Sequence, residues 1–480
     1  YVDWGDGTVT KYQDSNLCVH KFTEPGVYRI GLSGTATAYP NANNTIIYDD
    51  CSSNHYYTFT ISNSWDIPKD VTSEKLAKIE GCLGCVFPTL ADGSNPDFAN
   101  AFAGCTNLQG TIPEKLFDGI HGQPVPGMFQ GIFANCGGIY GNIPNGLFGG
   151  LSGNYTELLF NGTFFNCTGL TGAIPEDLFG NLGGEPKKCM FSATFNRAEG
   201  LGTNIEAVQE PEYMKQGYAI PPRLFGILNG SPKYDMFSTT FNGCSGLTGK
   251  IPDNLFGDIN GAPADEMFRA TFDGCSGLTG AIPDGLFGTF TDKPAQYMFY
   301  RTFAGCGGLG TNIPEADKPE YMKQGYAIPP NLFSGINGTP ADYMYAGTFF
   351  DCSGLTGKIP ENLFSGINGA PAQYMYNGTF YNCSGLTDPI PNKLFGTFND
   401  KPVEGMFSRT FDGCSGLTGS IPDDLFNGIS GQIADYSFNK IFQNCSSLTG
   451  EIPENLFAGI TGNSYWGFYN TFNGATKLGL

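Results

Sequence analysis

The sequence predicts an α/β repeat fold: a solenoid of about twelve stacked units, preceded by a small all-β, sandwich-like module. Three observations predict it. Cysteines recur at a step of 31 residues, at Cys105, Cys136 and Cys167, then Cys244, Cys275 and Cys306, then Cys352, Cys383, Cys414 and Cys445. One phrase surrounds each of them, as in Thr271-Phe272-Asp273-Gly274-Cys275-Ser276-Gly277-Leu278-Thr279-Gly280-Ala281-Ile282-Pro283, followed by Leu286-Phe287. Residues 1–64 lack the phrase and read instead as short strands. A fixed period of this length describes units that share one continuous core, because no unit can bury its apolar face alone.

Residues 275–305 serve as the type unit. Leu278 and Ile282 bracket a short extended segment, which Pro283 stops because proline cannot donate to a ladder. Leu286 and Phe287 follow in a tight turn. Asp292 is placed as an N-cap and Pro294 in a first helical turn. Met298, Phe299, Thr302 and Phe303 then fall at i, i+1, i+4 and i+5, which predicts a short helix over 295–303 with one apolar stripe. Gly305 ends it. Stacked strands want ~4.8 Å and packed helices ~8–10 Å. Helices in register with the strands would therefore curve the stack; a turn lying flat would leave it straighter.

Two units are longer. Ala198 stands where the cysteine column expects its next member, Cys244 follows 46 residues later, and Cys306 to Cys352 is also 46. Each carries nearly the same insertion, Pro211 to Pro222 and Pro319 to Pro330, and the copies lie 108 residues apart. A block of three units is thus copied in tandem. The insertions project from one edge, and Tyr213, Met214, Tyr218, Tyr321, Met322 and Tyr326 are candidate interface residues, since aromatics and Met favour interfaces; packing on their own rung is the plainer reading.

The wording Phe411-Asp412-Gly413-Cys414-Ser415-Gly416-Leu417-Thr418 before an Ile-Pro strand resembles leucine-rich repeats of the BspA-like bacterial surface type. Leu247 to Leu255 is also similar to plant-type leucine-rich repeats, whose Leu-x-x-Leu-x-Leu-x-x-Asn block is absent here. The resemblance covers residues 98–480 and implies a leucine-rich-repeat-type solenoid over 105–480, with an irregular cap and first rung over 65–104. Residues 1–64, with Trp4-Gly5-Asp6-Gly7 and Pro25-Gly26-Val27-Tyr28, resemble a PKD-type β module whose first strand would precede Tyr1. Such modules imply an extracellular spacer. Cys18 and Cys51 are the candidate disulfide there, if the compartment is oxidising.

The formal charge of −20 argues against nucleic acid and anionic membranes as partners. No run of about 18 apolar residues exists, so no membrane insertion is expected of this chain. Tyr1 opens directly into a strand-like segment, which reads as a mature or trimmed form. Sequons stand at Asn43, Asn154, Asn161, Asn166, Asn229, Asn337, Asn377, Asn382 and Asn444. Asn166, Asn382 and Asn444 abut the cysteine column, where a glycan would collide with packing.

The repeated cysteines read as a buried column of reduced thiols acting as small apolar filler, because Ala replaces them at 198 and 475. Cys82 and Cys85 form one Cys-x-x-Cys pair, read as a local disulfide or buried thiols in preference to zinc. Glu176, Asp253, Asp284, Glu361, Asp423 and Glu454 recur after each Ile-Pro, as dipole partners of a helix start rather than calcium ligands. Asp3 and Asp6, in the Asp-Gly turn, are a minor calcium candidate, ahead of that row. His20, His55 and His121 have no nucleophile-base arrangement around them. No catalytic, cofactor-binding or metal residue is assigned.

The expected function is accordingly non-enzymatic: a structural protein outside the cell or on its surface. Head-to-tail assembly into a filament or surface layer is expected through the chain ends. The sequence stops where a strand should start, at Leu478 and Leu480, and solenoids usually carry a capping unit. The competing expectation is a monomeric adhesin or receptor that takes a glycan or host protein on a concave face, marked by exposed aromatics on a few neighbouring rungs.

Overall fold

The computed structural model describes residues 1–11, 18–21, 28–36, 44–49, 56–61 and 76–479. Two compact units divide the chain. Unit 1 holds 1–210 and 223–227, and unit 2 holds 211–222 and 228–480. Both contain turns of a β-solenoid, about twelve in total, with little helix.

In unit 1, β1 (Val2–Asp3) lies between β2 (Val9–Thr10) and β4 (Gly31–Leu32) in an antiparallel sheet. Trp4 is fully buried with Val2 against Tyr28, Ile30 and Leu32, and its Nε1 donates to Thr10 Oγ1 at 2.9 Å. The turn that follows is held by its own carboxylates: Asp3 accepts from the Gly5 N–H and Asp6 from the Thr8 N–H, each at 3.0 Å. β3 (Cys18–Lys21) pairs parallel with β5 (Asn44–Asp49), which pairs antiparallel with β6 (Tyr56–Ile61). The described residues of the expected sandwich-like module therefore form two small three-stranded sheets, one antiparallel and one mixed. The Cys18–Cys51 pairing lies outside the described residues.

Cys82 and Cys85 form a disulfide across α1 (Leu83–Val86). The N–H groups of Leu83 and Gly84 both donate to the Leu116 carbonyl, at 2.7 and 2.9 Å. The closed Cys-x-x-Cys turn thereby satisfies backbone groups of the first solenoid turn.

The strands of the solenoid are two to four residues long and pair in parallel, with partners mostly 29 residues apart, such as Gly110↔Ile139 and Ser152↔Asn181 in unit 1 and Gly338↔Ile367 in unit 2. Side-chain columns keep the 31-residue step: Phe102, Phe133, Phe164 and Phe195 stack with ring centroids 5.6–5.7 Å apart. The ladder thus slips two residues against the columns. A slip of two preserves which face each side chain takes, because the strand period is two.

The helix expected over 295–303 is not formed, which corrects the α/β reading. Tyr297, Arg301 and Gly305 have φ of +54°, +55° and +71°, a left-handed residue every fourth position, and the backbone lies flat across the turn. Its amides alternate. Those of Tyr297, Phe299, Arg301, Phe303 and Gly305 donate to the next turn, at Asp342, Met344, Ala346, Thr348 and Phe350. Those of Met298, Tyr300, Thr302, Ala304 and Cys306 donate three residues back, closing β-turns. Every amide is satisfied at strand-like spacing, and the mismatch between strand and helix widths disappears. Over nine residues a period of four cannot be told from 3.6, so the apolar spacing fitted both.

Two consequences follow for side chains. Glu176, Asp253, Asp284, Glu361, Asp423 and Glu454 sit exposed in four-residue turns, with no helix dipole to meet. The carbonyls that close the β-turns keep a second lone pair inside the core, and polar residues of the next turn fill it. Thr302 Oγ1 donates to Phe268 O at 2.9 Å, and Cys306 Sγ to Phe272 O at 3.0 Å. Cys136, Cys167, Cys275, Cys352, Cys383, Cys414 and Cys445 repeat the thiol bond at 2.9–3.0 Å. Cys105 and Cys244 are likewise buried and free of disulfides. The column is therefore more than filler.

Candidate functional site

The insertions fold onto their own unit. In unit 2, α2 (Glu212–Lys215) and α3 (Glu320–Lys323) are single helical turns. Tyr213 and Tyr321 are buried, and the Tyr321 hydroxyl donates to Ile282 O at 2.9 Å. Tyr218 and Tyr326 are half-buried beneath the ammonium groups of Lys250 and Lys358, at 4.9 and 5.2 Å from the ring centroids. Met214 and Met322 are half-buried. Leu478 is half-buried in a strand pairing with Gly450, and Leu480 lies outside the described residues.

A different surface of unit 2 concentrates exposed chemistry. The flat segment of each turn places equivalent residues directly above one another on its solvent side. Its first left-handed position carries Glu266, Tyr297, Tyr343, Tyr374, Gly405, Tyr436 and Trp466 in successive turns. Tyr297 and Tyr343 stack at 4.7 Å with planes 11° apart, and Tyr343 and Tyr374 at 4.8 Å and 12°. These spacings match the strand repeat of roughly 4.8 Å, so the rings sit almost eclipsed. Tyr300 meets Tyr297 edge-on at 5.6 Å and Tyr343 at 6.2 Å. All four rings are half-buried.

Gly405 interrupts the ladder for a steric reason. Its φ is +59°, and a Cβ there would lie 2.2 Å from Tyr374 Cε1. The Tyr374 ring therefore lies over bare backbone, and its hydroxyl donates to Glu404 Oε1 at 2.5 Å. Burial, with the Glu404 carboxylate beside it, pushes the Tyr374 phenol well above its ordinary range. Beyond the gap, Tyr436 packs against Tyr465 and Trp466, and Trp466 stacks on Tyr469 at 4.3 Å.

The neighbouring positions are polar. Asp265, Gln296, Asp342, Gln373, Glu404 and Asp435 precede the ladder in successive turns. Asp265, Asp342 and Asp435 accept the backbone N–H of Gln296, Gln373 and Tyr465 at 2.8 Å, each tying its turn to the next. A groove of about 540 Å³ runs beside Tyr297 and Tyr343, lined chiefly by Pro263, Asp265, Lys293, Pro294, Pro340 and Asp342. On the other flank Arg301 pairs with Asp273 through Nε at 2.7 Å and covers the Phe350 ring at 5.0 Å. Arg301 is thus committed to its neighbours, whereas Lys293 is exposed at the groove, so the surface offers aromatic edges, carboxylates, amides and the Lys293 ammonium. Among the described residues no group of three or more metal-ligating side chains converges.

None of these tyrosines is singled out by the sequence pattern, and Tyr297 merely falls within the expected helix over 295–303. The signal was present as Tyr297, Tyr343, Tyr374 and Tyr436 at one position of the repeat, but a helical reading gave that position no special outward row. The chain matches no family model, no curated protein and no solved structure.

Proposed function

We propose that this chain is a non-enzymatic adhesive protein working outside the cell or on its surface, and that it holds an uncharged glycan along the groove and tyrosine ladder of unit 2. The observation that carries this is the row Tyr297–Tyr343–Tyr374 beside an open groove bordered by carboxylates and amides. Aromatic rings offer C–H contacts to sugar rings, and carboxylates and amides take up hydroxyl groups, while a net charge of −20 disfavours an anionic ligand. Half-buried aromatic rings on neighbouring turns, with their edges open to solvent, suit such a sugar-binding face. The insertions, by contrast, spend Tyr213 and Tyr321 on their own core. The likeness of the repeat wording to BspA-like leucine-rich repeats, and the Cys82–Cys85 disulfide, agree with a surface location.

Affinity electrophoresis through gels containing neutral polysaccharides tests the reading. Retardation that Tyr343→Ala weakens supports it; unretarded migration in every neutral polysaccharide contradicts it. Self-association into a filament is the second reading, favoured by Tyr465, Trp466 and Tyr469, which are 58%, 44% and 43% exposed. Sedimentation velocity across a concentration series tests it, with assembly expected to fall when Trp466 becomes Ala.

A further inference from the structure

The ladder carries a second chemistry that does not depend on any ligand. A phenol that loses one electron becomes so acidic that its proton must leave at the same time. Oxidation is therefore easiest where a base already holds that proton. Tyr374 meets this condition through its 2.5 Å hydrogen bond to Glu404 Oε1. Tyr343 lies face to face with it, centroids 4.8 Å apart, and Tyr297 continues the stack at 4.7 Å. On its far side Tyr374 lies over the Gly405 backbone, and Tyr343 is the ring stacked on it. Both rings are half-buried: open enough for an oxidant to act, yet held in parallel by the turns beneath.

We propose that Tyr374 and Tyr343 are an oxidative cross-linking site, at which a one-electron oxidant of the peroxidase class, using hydrogen peroxide, joins them as dityrosine. Each phenol gives up one electron and its hydroxyl proton, that of Tyr374 passing to Glu404. The two phenoxyl radicals form a carbon–carbon bond between ring positions ortho to oxygen. The two ortho hydrogens then move to the oxygens as the rings regain aromaticity. Two electrons and two protons leave in all, and they reduce one peroxide to two waters. The bond staples consecutive turns covalently on the exposed face, where otherwise only hydrogen bonds and packing join them.

The test is to treat the full chain, dilute, with a peroxidase and hydrogen peroxide, then to read blue dityrosine fluorescence and map cross-linked peptides by mass spectrometry. The expected result is a monomer lighter by two hydrogens, with a linked peptide pair containing Tyr343 and Tyr374. Tyr374→Phe abolishes that pair. Glu404→Gln keeps a hydrogen-bond acceptor but not the base, and slows its formation several-fold, while Tyr300→Phe leaves it unchanged. Unaltered thermal melting of the Glu404→Gln chain shows that the effect is not one of folding. The inference is overturned if cross-links join separate molecules through exposed Tyr140 or Tyr465 instead, or if Glu404→Gln couples as fast as the parent. A chain that cross-links but binds no glycan keeps this inference and loses the functional one.

Discussion

Replacing Tyr376 by Phe should stabilise unit 2. Tyr376 belongs to a core column otherwise made of Phe237, Phe268, Phe299, Phe407 and Phe438, with Tyr345 as its one other hydroxyl. Its side chain is fully buried and its hydroxyl has no hydrogen-bond partner. A buried hydroxyl without a partner costs roughly 1–3 kcal/mol, and removing it leaves the ring contacts with Tyr345 and Phe407 in place. A gain of about 1–2 kcal/mol is expected. Tyr321→Phe is the matched opposite in the same unit. Tyr321 is 5% exposed and donates to the Ile282 carbonyl, so its loss should cost about 1 kcal/mol. Urea unfolding should be followed by both circular dichroism and tryptophan fluorescence, because stacked repeats need not unfold in a single step. The reasoning is refuted if Tyr376→Phe lowers the midpoint, or if the two substitutions act in the same direction.

Asp97 in unit 1 offers a pH test. Burial raises its carboxyl to about 6, and one of its oxygens has no partner. The unfolded carboxyl ionises near 3.8, so stability should fall as pH rises from about 4 to 6 and then level off. Asp97→Asn should therefore stabilise at pH 7 by up to roughly 3 kcal/mol and have little effect at pH 4, as melting curves at the two pH values would report. Burial also pushes the column thiols upward, with Cys167 at about 12. Iodoacetamide should label none of the eleven buried thiols among the described residues in the folded chain and all of them in urea, as peptide mass mapping would show. Glycine substitutions should separate backbone strain from contact. Gly378→Ala, at φ +60° with its nearest neighbours 3.7 Å away, should cost about 1–2 kcal/mol, and Gly405→Ala distinctly more, because it also displaces Tyr374.

Much of the fold was legible because the columns are chemical. Cys, Thr and Phe recur at one step since each must fit the space left by its counterpart in adjacent turns. The solenoid, its tandem block and the buried cysteines could be read from that alone. The path of the chain between columns could not. Met298, Phe299, Thr302 and Phe303 suit a helix, and Tyr297 and Arg301 are residues that rarely adopt positive φ, so nothing local announced the left-handed positions. What decides them is the neighbouring turn, which supplies an acceptor for every second amide. The tyrosine ladder followed the same course: its members were visible, but their shared outward direction depends on a backbone that propensity disfavours. Tyr321 shows the opposite case. Its aromatic character left interface use open beside plain packing on its own rung, and the buried ring and its bond to Ile282 O match the packing reading.

Residues such as 295–303 run flat, bonded turn to turn, rather than as a helix in each unit. Far-ultraviolet circular dichroism of the purified chain tests it most directly. A spectrum of strand and turn character, without the paired minima of α-helix, is expected. A helical content near three residues in ten, one short helix per unit, would contradict it.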